Sequence, residues 1–293
     1  MLKITSAFDT ISRLKELIRN LSYLYKQKPK SQIEIEKIQF VTPLSITPAA
    51  AVINQKSLSH KYAGENASYL ETIYFPEGIK QLDLIALNKT YLPIINLDLS
   101  ANDVTENSRL LDVLHAKYLD LLRGNIIADQ RFLELITNNT FGFLLGEMFD
   151  NIQEHSQAKN VYVFAQYWPK TNFCELCILD DGQGIYHSLK TAGRNVTNSE
   201  DALRKVLETG LSAKTEFGDI KRGTGIRSVR AALTNKELNG EFFIMTGNSA
   251  FLHSASTGEK FVRLANYSWN GTIVVLRLNR PVSQFNLYDY IKT

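Results

Sequence analysis

Residues 141–157 read FGFLLGEMFDNIQEHSQ. Phe141, Leu144, Leu145, Met148, Phe149 and Ile152 recur at helical spacing, which predicts a helix with one face in a core. Glu147, Asn151 and His155 come at four-residue intervals, so the helix stacks them in a row beside the apolar stripe. A carboxylate, an amide and an imidazole in that order suit a polyphosphate site. An amide oxygen can bind the hard Mg²⁺ ion that accompanies ATP, and a carboxylate can orient or deprotonate an attacking water. An ordinary amphipathic helix carries the same pattern, so the stretch gains meaning only together with three pieces further along the chain.

Downstream, the apolar run NFCELCIL (172–179) predicts a buried strand, and Asp180-Asp181-Gly182-Gln183-Gly184-Ile185 comes directly after it. An Asp-Gly pair behind a strand is commonly a turn. The functional reading is that Asp180, fixed at the strand end, accepts the amino group of adenine while Gly182 and Gly184 let the backbone approach the base. A third piece, KRGTGIRSVRAAL (221–233), sets Gly223 and Gly225 before a helical apolar pattern. Backbone N–H groups opening a helix suit phosphates. The chain has neither G-x-x-x-x-G-K-[ST] nor G-x-G-x-x-G. The fourth piece, Asn270-Gly271-Thr272 before the strand-like IVVLRL, is by itself a turn.

In this order and spacing the four pieces resemble the GHKL (Bergerat-fold) ATPase superfamily, which includes gyrase-type topoisomerases, heat-shock chaperones, sensor histidine kinases and anti-sigma-factor kinases. E-x-x-x-N-x-x-x-H looks like the N box, D-x-G-x-G-I the G1 box, R-G-T-G-I the G2 box and N-G-T the final box, over roughly half the chain. The resemblance implies a two-layer α/β sandwich, with one mixed sheet, helices on one face, and ATP between loops and lid. It implies Asn151 as the Mg²⁺ ligand and Glu147 as the catalytic base of the hydrolytic branches. Asp180 would read adenine with help from Thr272, and Gly182, Gly184 and Ile185 would line the base. Gly223, Thr224, Gly225 and Ile226 would face the phosphates. Lys214, in EDALRKVLETGLSAKT (200–215), falls where relatives carry G-x-S-T-K and would reach a terminal phosphate, although a solvated lysine fits as well. Arg227 stands where many relatives have a third glycine, so it stiffens the lid or contacts phosphate itself. Asp181 stands where asparagine is common.

The function so implied is Mg²⁺-dependent ATP binding with slow hydrolysis, used as a regulatory, stress or defence switch on a protein partner or within a homodimer. Alternatives are a serine/threonine kinase of the anti-sigma-factor type and an ATP-gated module without turnover. Histidine autokinase activity fits poorly. His115, on an upstream helical stretch, is followed by Ala116-Lys117 rather than by an acidic residue.

The rest of the chain surrounds this region. The 293 residues favour more than one domain. IEIEKIQFV (33–41) and TYLPIINLD (90–98) predict strands, with a helix-like segment after Thr47 and the apolar YLETIYF (69–75) between them. The expected division is an N-terminal helix (1–30), a small α/β domain (31–108), a connecting helix (109–127) and the ATP-binding domain (128–285). Through TPLSITPAAAVI (42–53) the small domain resembles the STAS-like domains of bacterial regulators. The polar SANDVTENS (100–108) reads as a linker. Ile11, Leu14, Leu17, Ile18, Leu21 and Leu24 make the N-terminal segment an amphipathic helix rather than a secretory signal. Hydrophobic and charged fractions of 44% and 22% are those of a globular protein, and a net charge of +3 gives no reason to expect nucleic acid or a membrane surface. A cytoplasmic location is the expectation. Cys174 and Cys177 form a C-x-x-C inside the apolar strand, with no second ligand pair, and read as core residues.

Overall fold

The computed structural model describes residues 1–4, 10–37, 41–63, 67–81, 90–100, 104–126, 140–171, 173–213, 225–255 and 257–279. The N-terminal part runs β1 (Leu2–Ile4), α1 (Thr10–Lys26), β2 (Gln32–Lys37), α2 (Pro43–Gln55), β3 (Ser59–Ala63) and α3 (Ala67–Thr72). It continues with β4 (Tyr91–Asp98), α4 (Val104–Ile126), α5 (Thr140–Asn151), β5 (Asn160–Trp168) and β6 (Phe173–Asp180). Then come α6 (Gly184–Thr191), α7 (Ser199–Thr209), α8 (Gly225–Leu233), β7 (Glu241–Gly247), β8 (Ser249–Ser254), β9 (Gly258–Arg263) and β10 (Trp269–Asn279). The α/β class expected from the sequence is present. Where one mixed sheet was expected, the main sheet has seven strands paired antiparallel throughout, in the order β4-β5-β6-β10-β7-β8-β9, and β1-β2-β3 form a separate small parallel sheet.

Alternation along β6 and β10 sorts their side chains onto two faces. Cys174, Leu176, Ile178, Val274 and Leu276 share a core with Leu114 of α4, Met148 and Phe149 of α5, Leu203 of α7 and Val229 of α8. Cys177, Leu179, Ile273 and Val275 face the other way, into a core with Leu14, Leu17 and Leu21 of α1 and almost the whole of α2. The small α/β part therefore covers the second face of the sheet, where helices on one face alone were expected. That contact explains why α2 is buried from Pro43 to Ile53. It also settles the C-x-x-C: the two thiols point into opposite cores and cannot act as a pair. Burial pushes Cys174 up to about 12.

Several boundaries read from the sequence need correction. The segment 1–30, read as a helix, opens with β1, which pairs parallel to β2, and its helix starts at Thr10. The strand at 91–98, assigned to the small domain, is an edge strand of the seven-stranded sheet, antiparallel to β5. Its run is apolar on both sides, with Leu92, Ile95 and Leu97 in one core and Ile94 in the other, so it needs cover on two faces. The supposed linker 100–108 contains the first turn of α4, which starts at Val104. Its polar residues serve a helix start, since Glu106 in the first turn accepts two hydrogen bonds from Arg109 at 2.6 and 2.7 Å. The helix expected after Thr47 begins earlier, at Pro43.

A buried ion cluster ties α1 and α2 to the sheet. Glu175 of β6 accepts from Arg13 of α1, from Arg277 of β10 at 2.9 and 3.1 Å, and from the Leu44 N–H at the start of α2 at 3.1 Å. Arg13 and Arg277 also pair with Glu241 of β7. Burial alone would raise the Glu175 carboxyl, but the two guanidinium groups and the Leu44 N–H outweigh it and hold it below its ordinary value. Among the described residues no helix is long and apolar enough to cross a membrane.

Candidate functional site

On the α5–α8 side of the sheet lies an open cavity of about 930 Å³, its mouth included. Glu147 and Asn151 from α5, Asp180 from the end of β6, Gly184 and Ile185 from α6, Gly225 and Ile226 from α8 and Thr272 from β10 all line it. Residues separated by more than a hundred positions thus meet at one place, and each is a site candidate on sequence grounds. Gly182 and Arg227 are not among the lining residues. Lys214, Gly223 and Thr224 lie outside the described residues, as does the side chain of His155.

Asp180 is the buried carboxylate that lines the cavity. It is 3% exposed, with Oδ1 accepting the Gly182 N–H at 2.9 Å and Oδ2 the Thr272 N–H at 3.2 Å. Burial pushes its carboxyl up to about 7, helped by the nearby charge of Asp181 and opposed by those two N–H groups. The Trp269 indole N–H anchors the Asp180 carbonyl at 3.0 Å from the opposite face. Gly271 has φ +102°, and a Cβ there would overlap the Asp180 carbonyl. Glycine at this point of N-G-T is therefore required for β10 to pass the strand end. Asp181 serves structure instead. Its carboxylate accepts the Lys159 and Asn160 N–H groups at 2.8 Å and the Asn160 amide at 2.7 Å, which caps the start of β5.

Across the cavity, Asn151 donates its amide nitrogen to the Glu147 carbonyl at 2.6 Å. That bond assigns the amide: the nitrogen faces a carbonyl, and Oδ1 remains as acceptor. Glu147 sits against the first residue of α8, where a Cβ on Gly225 would overlap its carboxylate. The end of α5 widens into a π-helical turn, Ile152–Ser156, a feature often found at functional sites. The Ser156 carbonyl accepts the Gln183 N–H at 2.7 Å and leaves no room for a Cβ on Gly182. Glycine at 182 is therefore needed where this turn joins the loop after β6.

The remaining wall was not anticipated. Leu189, Val206, Leu211 and Ala213 give it an apolar side, and Ser156, Ser188 and Ser212 add hydroxyl groups. The amphipathic pattern of SEDALRKVLET gives α7 a buried stripe, but no sequence signal says that part of that stripe faces a cavity. Asn198 caps α7 by accepting the Asp201 N–H at 2.9 Å, and Gly210, at φ +71°, ends it. Compared with protein-family models and with curated proteins, the chain finds no match.

Proposed function

We propose that this cavity binds ATP together with Mg²⁺, in the manner of a GHKL-type site, and that its occupancy is a switch with slow hydrolysis. The observation that carries the reading is convergence. A buried acceptor, Asp180, an amide oxygen with a carboxylate one turn before it, and a glycine opening a helix all meet around one cavity. The apolar side formed by Leu189, Val206 and Leu211 suits a flat base, with Asp180 as the acceptor for its amino group.

The residues present suit the metal. Asn151 Oδ1 is a hard oxygen donor, and among the described residues no group of three or more His, Cys, Asp or Glu could hold an ion without help. Mg²⁺ would be held by Asn151 with the nucleotide's own phosphates, its usual arrangement, and would offset their charge. A partner protein, or a second copy of the chain, is the species that would read the switch. β6 and β10 carry Asp180 and Val274 towards the cavity and Glu175 and Val275 towards α1 and α2, so one sheet thickness separates ligand from N-terminal layer.

Thermal unfolding with and without Mg²⁺·ATP tests the reading. At a hundred times the dissociation constant the folded state should gain about 2.7 kcal/mol. No shift with ATP, ADP or adenosine at millimolar concentration would remove the nucleotide assignment. Asn151→Ala is expected to keep most nucleotide affinity but lose its dependence on Mg²⁺, read by calorimetric titration at varied magnesium. An unchanged magnesium dependence in the variant would return Asn151 to a purely structural part of α5.

A further inference from the structure

We infer that Thr246, a residue of β7 outside all four sequence motifs of the site, is the positioning residue that sets the Asp180 side of the cavity; the inference rests on the nucleotide reading. Helix α6 starts at Gly184, and the residue before it, Gln183, gives it no side-chain cap. The first N–H groups of a helix need partners from outside it. Thr246 supplies one from a distant strand: its Oγ1 accepts the Ile185 N–H at 3.0 Å. The same hydroxyl donates to the Gly271 carbonyl at 3.0 Å. Thr246 itself is buried, at 1% exposure.

The second bond reaches the site through a single peptide plane. The Gly271 carbonyl and the Thr272 N–H belong to the same amide group and point in opposite directions. Thr246 holds the carbonyl end, and the N–H end donates to Asp180 Oδ2 at 3.2 Å. Gly184, with φ +72°, brings its backbone so close that a Cβ would lie 2.8 Å from Thr246 Oγ1 and 3.0 Å from the Gly271 carbonyl oxygen. The α6 start, the register shift of β10 against β7 between Trp269 and Thr272, and the Asp180 carboxylate thus meet at one hydroxyl that must accept and donate at once. Serine can do both, whereas valine, of nearly the same shape, can do neither.

The experiment compares Thr246→Val and Thr246→Ser with wild type, by calorimetric titration with Mg²⁺·ATP and with adenosine, at a temperature where circular dichroism shows all three folded. Thr246→Val is expected to weaken both ligands by the same factor, about tenfold, the equivalent of one lost neutral hydrogen bond. Its magnesium dependence should stay unchanged, and Thr246→Ser should bind within about twofold of wild type. Wild-type affinity in the valine variant, a serine variant as weak as valine, or a loss confined to ATP would each overturn the role. Hydrogen exchange in the wild type serves even if the valine variant does not fold. The Ile185 and Thr272 amides should be protected and should slow together with adenosine, and fast exchange at Ile185 would overturn the assignment. A wild type that binds neither ATP nor adenosine overturns the nucleotide reading itself, a result distinct from any of these.

Discussion

Asp180→Asn is expected to lower affinity for Mg²⁺·ATP by about 100-fold or more while the ligand-free protein stays folded. Each carboxylate oxygen of Asp180 already accepts one backbone N–H, from Gly182 and from Thr272. An asparagine has one acceptor and one donor, so its NH₂ must face either one of those N–H groups or the amino group of the base. Whichever way it turns, a donor meets a donor at a buried position. The fold itself loses less. The carboxyl is raised to about 7, so the folded protein binds this proton more tightly than the unfolded chain does. Asp180 therefore favours folding fully at low pH, and that contribution is lost as pH rises from about 4 through about 7. Asparagine has no charge to bury, and removing that cost at pH 8 offsets much of the donor clash. The variant should lack the wild-type loss of stability between pH 5 and 8. Since the ionised carboxylate is the acceptor form, wild-type affinity for adenosine should rise about tenfold from pH 6 to pH 8. Equal thermal stabilisation of wild type and variant by Mg²⁺·ATP would show that Asp180 does not touch the nucleotide.

What the sequence discloses about this site has a physical pattern. Glu147 and Asn151 are legible because helical periodicity places them on one stripe, and Asp180 because a strand end followed by glycines is a local signal. Thr246 is not legible. It is one threonine in an apolar strand, and its role arises from two partners, Ile185 and Gly271, that lie 61 and 25 residues away. The role of Asp181 is not legible for a related reason: the N–H groups its carboxylate accepts, those of Lys159 and Asn160, lie 22 and 21 residues away at the start of β5. The same distinction holds for the fold. TYLPIINLD declares a strand, but nothing local tells which sheet will take it, and the two-sided apolar run is explained only by the cores on both faces. TPLSITPAAAVI declares a buried helix, yet the cover it provides depends on Glu175, far along the chain, meeting its first turn.

Glu147→Gln is expected to retain ATP affinity within about threefold and to lower hydrolysis by about 10²–10⁴-fold, the usual worth of a general base. The carboxylate stands one helical turn before Asn151 on α5, lines the cavity, and lies against the backbone of Gly225 at the start of α8. Two roles are open to it there. As a base, it would take the proton of a water whose oxygen bonds to the terminal phosphorus as the bond to ADP breaks. As a structural anion, it would stabilise the positive end of α8, an effect of about 0.3–1 kcal/mol. Glutamine keeps the size and the hydrogen-bonding capacity but cannot accept a proton, and its neutral amide interacts only weakly with the helix end. The two roles therefore leave different traces. Loss of the base would appear in single-turnover hydrolysis, with ATP accumulating on the protein and the melting temperature nearly unchanged. Loss of the anion appears as a small drop in stability with turnover untouched. Equal single-turnover rates in wild type and variant would remove Glu147 from catalysis. If both proteins bind Mg²⁺·ATP and neither hydrolyses it, the site is a binding switch, and Glu147 belongs to the contact between α5 and α8 that ligand binding must accommodate.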